Sequence, residues 1–326
     1  MKQLVENFSN QLREAIKIGE SAHFTAHEHP IHDVFISGLG GSGIGGSIVS
    51  EIVAPYATAP ICVNKKYEIP AYINQHTLVI ISSYSGNTEE TVAAMEAAYK
   101  KGAKVVCVSS GGYVIDFAKK HHLNYIIVPG GMPPRSCLGY SLTQLFFILS
   151  FFKIIPDGFK NELAKAIDLI DKEREEIKIL AQSFAQKLHD KMPVIYTLSN
   201  EGVAIRFRQQ INENSKMLCW HHVIPEMNHN ELVGWTEKNN NLAVVVFRNS
   251  NDFVRNIKRL EINLEIISKY TDTIIHLQSK GDSDIERAIY HIHLGDWISC
   301  YIADIKQIDP VEVNVINHLK GALSKL

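Results

Sequence analysis

Short unbroken apolar runs recur through the first half of the chain, at residues 34–37, 61–64, 78–82, 105–109 and 125–128. Between them apolar positions fall at helical spacing, as at 88–101, where Val92, Met95, Ala98 and Tyr99 share a face, and again at 113–122. A glycine-rich turn at 38–46 leads into a further helix ending near 53. Continuous apolar strands alternating with helices predict a parallel sheet covered on both faces, an α/β doubly wound fold.

A second alternation begins at 194–198 and continues with strands at 242–247 and 273–277 and helices at 202–216, 252–270, 283–305 and 310–326. Its opening, residues 193–202, repeats the pattern of 34–41. The expected organisation is therefore two related domains, 1–152 and 193–326, joined by 153–192. That joining stretch has a long charged, amphipathic pattern and predicts a solvated helical connection. Residues 1–20 carry charges throughout and predict a surface helix. Residues 137–152 are uncharged but too short to span a bilayer, and predict a buried helix.

Composition removes several classes. The 326 residues suffice for two domains, and 33 basic residues against 35 acidic ones leave a net charge of −2, so no global field recruits nucleic acid or a membrane. Cys62, Cys107, Cys137, Cys219 and Cys300 show no paired spacing and are odd in number, which points to a reducing cytoplasm.

The chemistry centres on Ser83-Tyr84-Ser85-Gly86-Asn87-Thr88, a turn between a strand and a helix. Free amides and the positive end of the helix dipole face solvent there, the hydroxyls of Ser83, Ser85 and Thr88 add donors, and Gly86 removes a Cβ that would keep an anion away. This is a phosphate seat. A plain cap by Asn87 or Thr88, with Glu89 and Glu90 complementing the dipole, leaves the number of hydroxyls unexplained. Gly38, Gly40 and Gly43 also satisfy the dinucleotide pattern G-x-G-x-x-G, but the next strand ends in Asn64-Lys65-Lys66 instead of an acidic ribose ligand. The better reading is a backbone that approaches a sugar, with Ser42 as a hydroxyl donor.

Together, Gly40-Gly41-Ser42-Gly43 and the hydroxyl turn resemble the SIS, or sugar isomerase, domain, a flavodoxin-like fold. Pro133-Pro134-Arg135-Ser136, Asn212-Glu213-Asn214-Ser215-Lys216 and the stretch from Pro225 to Trp235 extend the resemblance over essentially the whole chain, to the bifunctional phosphoglucose/phosphomannose isomerase family. The resemblance implies an aldose–ketose isomerase that interconverts glucose 6-phosphate, and mannose 6-phosphate, with fructose 6-phosphate through an enediolate, without metal or organic cofactor. It implies roles for Glu213 as the proton-shuttling carboxylate, His229 in ring opening, Arg135 beside the enediolate and Lys320 at the ring oxygen. Ser83, Ser85 and Thr88 would hold the phosphate, and Gly41 and Ser42 the sugar. It further implies a homodimer whose active site lies at the subunit interface, with His229 coming from the partner chain. One departure is Val313, where the family links tolerance of both C2 epimers to a small hydroxylated residue.

The histidine pairs His121-His122, His221-His222 and His291/His293 lack a convergent carboxylate or thiol, so no metal site is expected from them. Two other readings compete with the enzyme just described. A non-catalytic sugar-phosphate sensor would keep the hydroxyl turn but have no use for Glu213, Arg135 and His229 together; an isomerase for another sugar phosphate is commonly a single-domain chain.

Overall fold

The computed structural model describes residues 1–323 and 325. The chain opens with α1 (Lys2–Glu6) and α2 (Phe8–Glu20), so the single surface helix expected there is broken at Asn7. It is also less superficial than its charges imply, because Phe8, Leu12 and Ala15 form a buried stripe. The first sheet is parallel throughout, in the order β2-β1-β3-β4-β5. Its strands β1 (Asp33–Ser37), β2 (Ile61–Asn64), β3 (Thr77–Ser82), β4 (Lys104–Ser109) and β5 (Asn124–Ile127) each fall within a residue of an expected run. The helices α3 (Gly40–Val53), α4 (Glu89–Lys100), α5 (Gly112–Lys120) and α6 (Leu138–Phe151) complete this half.

After α7 (Phe159–Lys172) and α8 (Arg174–Leu188) comes a second parallel sheet, ordered β7-β6-β8-β9. It contains β6 (Met192–Thr197), β7 (Trp220–Val223), β8 (Leu242–Arg248) and β9 (Ile274–Gln278), with α9 (Glu201–Ser215), α10 (Val254–Ile267) and α11 (Asp284–Ile305). The unexpected strand is β7. It is a short edge strand, Trp-His-His-Val, none of it fully buried, so it carries no apolar run for a pattern search to find.

The solvated connection expected between the halves is corrected in part. Its helices α7 and α8 do expose their charges, but Leu163, Ile167 and Ile170 on one and Ile177, Ala181 and Leu188 on the other are buried, and both helices pack on α11. The inner faces of the two sheets share one core, in which Ile36 and Ile195 meet through Ile48 of α3, Phe146 of α6, Phe207 of α9 and Ile292 of α11. Separate clusters cover the outer faces, one beneath α4 and α5 and one beneath α10. At about 1.5–3 kcal/mol for each fully buried large apolar side chain, the shared core ties the halves to one another. Among the described residues no helix is long and apolar enough to cross a membrane.

The last helix, α12 (Asn314–Leu323), starts later than expected because the backbone carbonyls of Pro310, Val311 and Glu312 are taken by Arg135 and Lys216. Its expected end at residue 326 lies outside the described residues.

Candidate active site

The order of the first sheet sends the chain from β1 to one side and from β3 to the other, so a crevice opens where the carboxyl ends of these neighbouring strands part. Both loops singled out in the sequence end there. The glycine stretch is helical already from Gly40, not a turn to residue 46, because its glycines admit the backbone itself. A Cβ on Gly43 would lie 2.2 Å from the carbonyl oxygen of Gly38, and one on Gly41 would lie 2.9 Å from that of Pro134.

In the hydroxyl turn, Ser83 Oγ donates to Thr88 Oγ1 at 3.2 Å and Ser85 Oγ accepts the amide of Asn87 at 3.3 Å. Thr88 is the N-cap of α4, yet among the described residues no side chain takes the amides of that helix's first turn. Those donors and the dipole are what an anion needs. The reason for Gly86 is different from the one expected. Its φ is +71°, and a Cβ there would sit 1.8 Å from the carbonyl oxygen of Gly111, so the glycine lets this turn nest against the next one.

Tyr84 interlocks three loops. Its amide donates to Ser42 Oγ at 3.0 Å, its carbonyl accepts from the Ser110 amide at 3.0 Å, and its hydroxyl accepts from the Met132 amide at 3.2 Å. Ser42 is thus engaged with the protein through its oxygen, which leaves its own proton for another acceptor. Beyond Met132, Pro133 and Pro134 set up a single 3-10 turn that carries Arg135.

The Arg135 guanidinium is only 4% exposed and uses all its nitrogens. Nε donates to Asn214 Oδ1 at 2.8 Å, Nη1 to Glu213 Oε2 at 3.2 Å, and Nη2 to the carbonyls of Pro310 and Val311. Glu213 stands in the last turn of α9 with its side chain 29% exposed. It borders a cavity of about 540 Å³ lined also by Asn212, Lys216, Glu312 and Val313. Lys216 ends the helix in the left-handed region at φ +52° and donates to the carbonyls of Glu213 and Glu312. Burial, with the neighbouring charge of Arg135, pulls its ammonium below the usual lysine range.

Within one chain, therefore, Arg135 and Glu213 meet, and through the contacts of Gly41, Ser42 and Tyr84 they adjoin the turn of Ser83, Ser85 and Thr88. His229 and Lys320 do not join them. His229 is exposed on the 3-10 turn Glu226–His229, and Lys320 is exposed on α12. No hydrogen bond or ion pair among the described residues links either to Glu213 or Arg135. The loop of His229 is nevertheless held, by a bond of 2.7 Å from Asn228 to Asn263 and by Glu231, which accepts from the hydroxyl of Tyr196 and the indole of Trp220.

Sequence reasoning missed Tyr84, Lys216 and the partners of the arginine turn. Arg206, Gln210 and Asn214 recur every four residues along one face of α9, a polar stripe on a buried side. That spacing was the available signal.

A family model described as the bacterial phospho-glucose isomerase C-terminal SIS domain matches residues 177–323. A bifunctional phosphoglucose/phosphomannose isomerase of Caldicellulosiruptor bescii is 36% identical, over 100% of this chain and 99% of its own. That of Aquifex aeolicus is 33% identical, over 91% of this chain and 92% of its own. The C-terminal domain of glucosamine-fructose-6-phosphate aminotransferase from Francisella tularensis superimposes with a TM-score of 0.74 at 13% identity, covering 95% of this chain and 98% of that one, a likeness of fold.

Proposed function

The chain belongs to the bifunctional phosphoglucose/phosphomannose isomerase family, and on that premise we propose that it interconverts glucose 6-phosphate and mannose 6-phosphate with fructose 6-phosphate, with Glu213 carrying the proton. It is an aldose–ketose isomerase of sugar phosphates. The observation that supports this assignment of residues is the Glu213 carboxylate lying 3.2 Å from the Arg135 guanidinium, beside loops that suit a phosphorylated sugar.

In the open-chain aldose, Glu213 takes the proton from C2. The electron pair of that C–H bond forms the C1–C2 double bond, and the carbonyl oxygen takes up negative charge, which Arg135 stabilises. The hydroxyl proton on O2 then passes to O1, and as C2–O2 becomes the carbonyl the electron pair of the C1–C2 double bond takes the proton back from Glu213 at C1, giving the ketose. One carboxylate facing the planar enediolate serves both carbons, no electrons leave the sugar, so no redox cofactor is called for, and Arg135 supplies the positive charge at the enediolate oxygen. Rotation of the enediolate about C2–C3 turns its other face to Glu213, and return of the proton to C2 there gives the epimeric aldose. Ser83, Ser85, Thr88 and the open amides of α4 hold the phosphate, and Gly41 and Ser42 lie along the sugar.

Ring opening needs a proton donor and acceptor that Glu213 does not supply. His229 takes that role from a second copy of the chain, with Lys320 assisting at the ring oxygen, so the working unit is a homodimer in the cytoplasm. The exposure of both residues in the single chain supports this reading. Val313, beside Glu213 in the cavity, makes mannose 6-phosphate the poorer product. Incubating purified protein with fructose 6-phosphate tests the proposal: glucose 6-phosphate should accumulate first and mannose 6-phosphate second, and formation of neither overturns it.

A further inference from the structure

Under the arginine turn lies an ion pair that the mechanism above does not use. Arg206 is 2% exposed and Asp296 6% exposed, and they meet at 2.8 Å in the seam between α9 and α11. Gln210, one turn beyond Arg206, donates to the other oxygen of Asp296 at 2.8 Å. The same Nη2 of Arg206 donates to the backbone carbonyl of Arg135 at 2.6 Å. Farther along the seam, Asn214 donates to Ser299 at 2.9 Å while accepting from Arg135. Arg135 is therefore gripped at both ends by one helix, at its carbonyl by Arg206 and at its guanidinium by Asn214 and Glu213.

We propose that Arg206 and Asp296 are positioning residues for the isomerisation: the buried pair fixes the Arg135 carbonyl against α9, and so sets the register between the guanidinium and the Glu213 carboxylate. A buried ion pair contributes little to stability compared with apolar residues of similar volume, so stability gives it weak justification here. A positional role explains why one nitrogen is shared between a carboxylate and the backbone of the turn. The inference rests on the catalytic reading of Arg135 and Glu213.

Two variants separate position from stability. Arg206→Lys keeps the charge opposite Asp296, but its ammonium ends a shorter, flexible stem and does not hold one nitrogen in the fixed place from which Nη2 reaches both acceptors. The double variant Arg206→Met with Asp296→Leu removes both charges and keeps the volume. In each, kcat should fall roughly ten- to a hundredfold with KM for fructose 6-phosphate within about twofold of wild type, because an ångström of misplacement costs rate and not phosphate affinity. A folded variant of either kind with wild-type kcat overturns the proposal. Failure of both to fold assigns the pair to stability and overturns it as well. Glu213→Gln, assayed alongside, tells the two readings apart: if it retains activity the catalytic assignment has failed, and if it is inactive while a folded pair variant is fully active only the positioning role has.

Discussion

Glu51 Oε1 accepts the backbone N–H of Gly202 across 2.9 Å, so the end of α3 in one half caps the start of α9 in the other. The contact is close because Gly202 has no side chain, and a Cβ there would lie 2.9 Å from the amide nitrogen of Ile48. Burial pushes the Glu51 carboxyl up from its ordinary value of 4.5 to about 7, against the pull of the Gly202 bond. The folded protein thus holds this proton more tightly than the unfolded chain. The stability it contributes is complete below pH 4.5 and is lost as pH rises through about 7. Glu51→Gln keeps an acceptor and buries no charge. Its stability in denaturant should be flatter over that window and should exceed wild type by roughly 2–3 kcal/mol near pH 8; an unchanged pH profile contradicts the account.

Tyr84→Phe removes the acceptor for the Met132 amide while leaving both backbone bonds of residue 84 in place. The loss should cost about 1 kcal/mol in thermal or denaturant unfolding. It should also loosen the tie between the hydroxyl turn and the arginine turn, lowering kcat severalfold. Kinetics and melting of the purified variant check both, and an unaltered kcat counts against the coupling of these loops.

For the phosphate, Thr88→Ala and Ser83→Ala each remove a hydroxyl but leave the open amides of α4. KM for fructose 6-phosphate should rise about three- to tenfold with kcat nearly unchanged, since a remote phosphate is bound alike in ground and transition states. A fall in kcat at constant KM would move these residues from binding to chemistry.

If His229 serves the partner's Glu213, two inactive variants should rescue each other. Glu213→Gln mixed with His229→Asn after subunit exchange should regain about a quarter of wild-type activity, because half the dimers are mixed and each carries one intact site. No recovery on verified exchange would place His229 outside the shared site.

Much of this was legible in the chain. Buried strands such as β3 read as uninterrupted apolar runs, and Ser83 to Thr88 declared a turn whose hydroxyls exceed the needs of a cap. Local pattern did not reveal the reason for Gly86, because its neighbour Gly111 is distant in sequence and near only in the fold. It showed the amphipathic pattern of α7 and α8 but not that their apolar faces pack on α11, and it did not reveal the edge strand β7, whose histidines break the apolar pattern. Arg206 and Asp296 are 90 positions apart, and nothing in their immediate neighbours shows that they pair. What links distant residues is packing, and packing is not written locally.

On the proposed mechanism Glu213 itself carries hydrogen between two adjacent carbons. The most direct test is to incubate wild type and Glu213→Gln with fructose 6-phosphate in deuterated water and to read deuterium at C2 of the aldose products by NMR. The account predicts deuterium at C2 of both aldoses with wild type and, with Glu213→Gln, exchange at least about a thousandfold slower while the sugar phosphate still binds. Exchange by Glu213→Gln at the wild-type rate would contradict it.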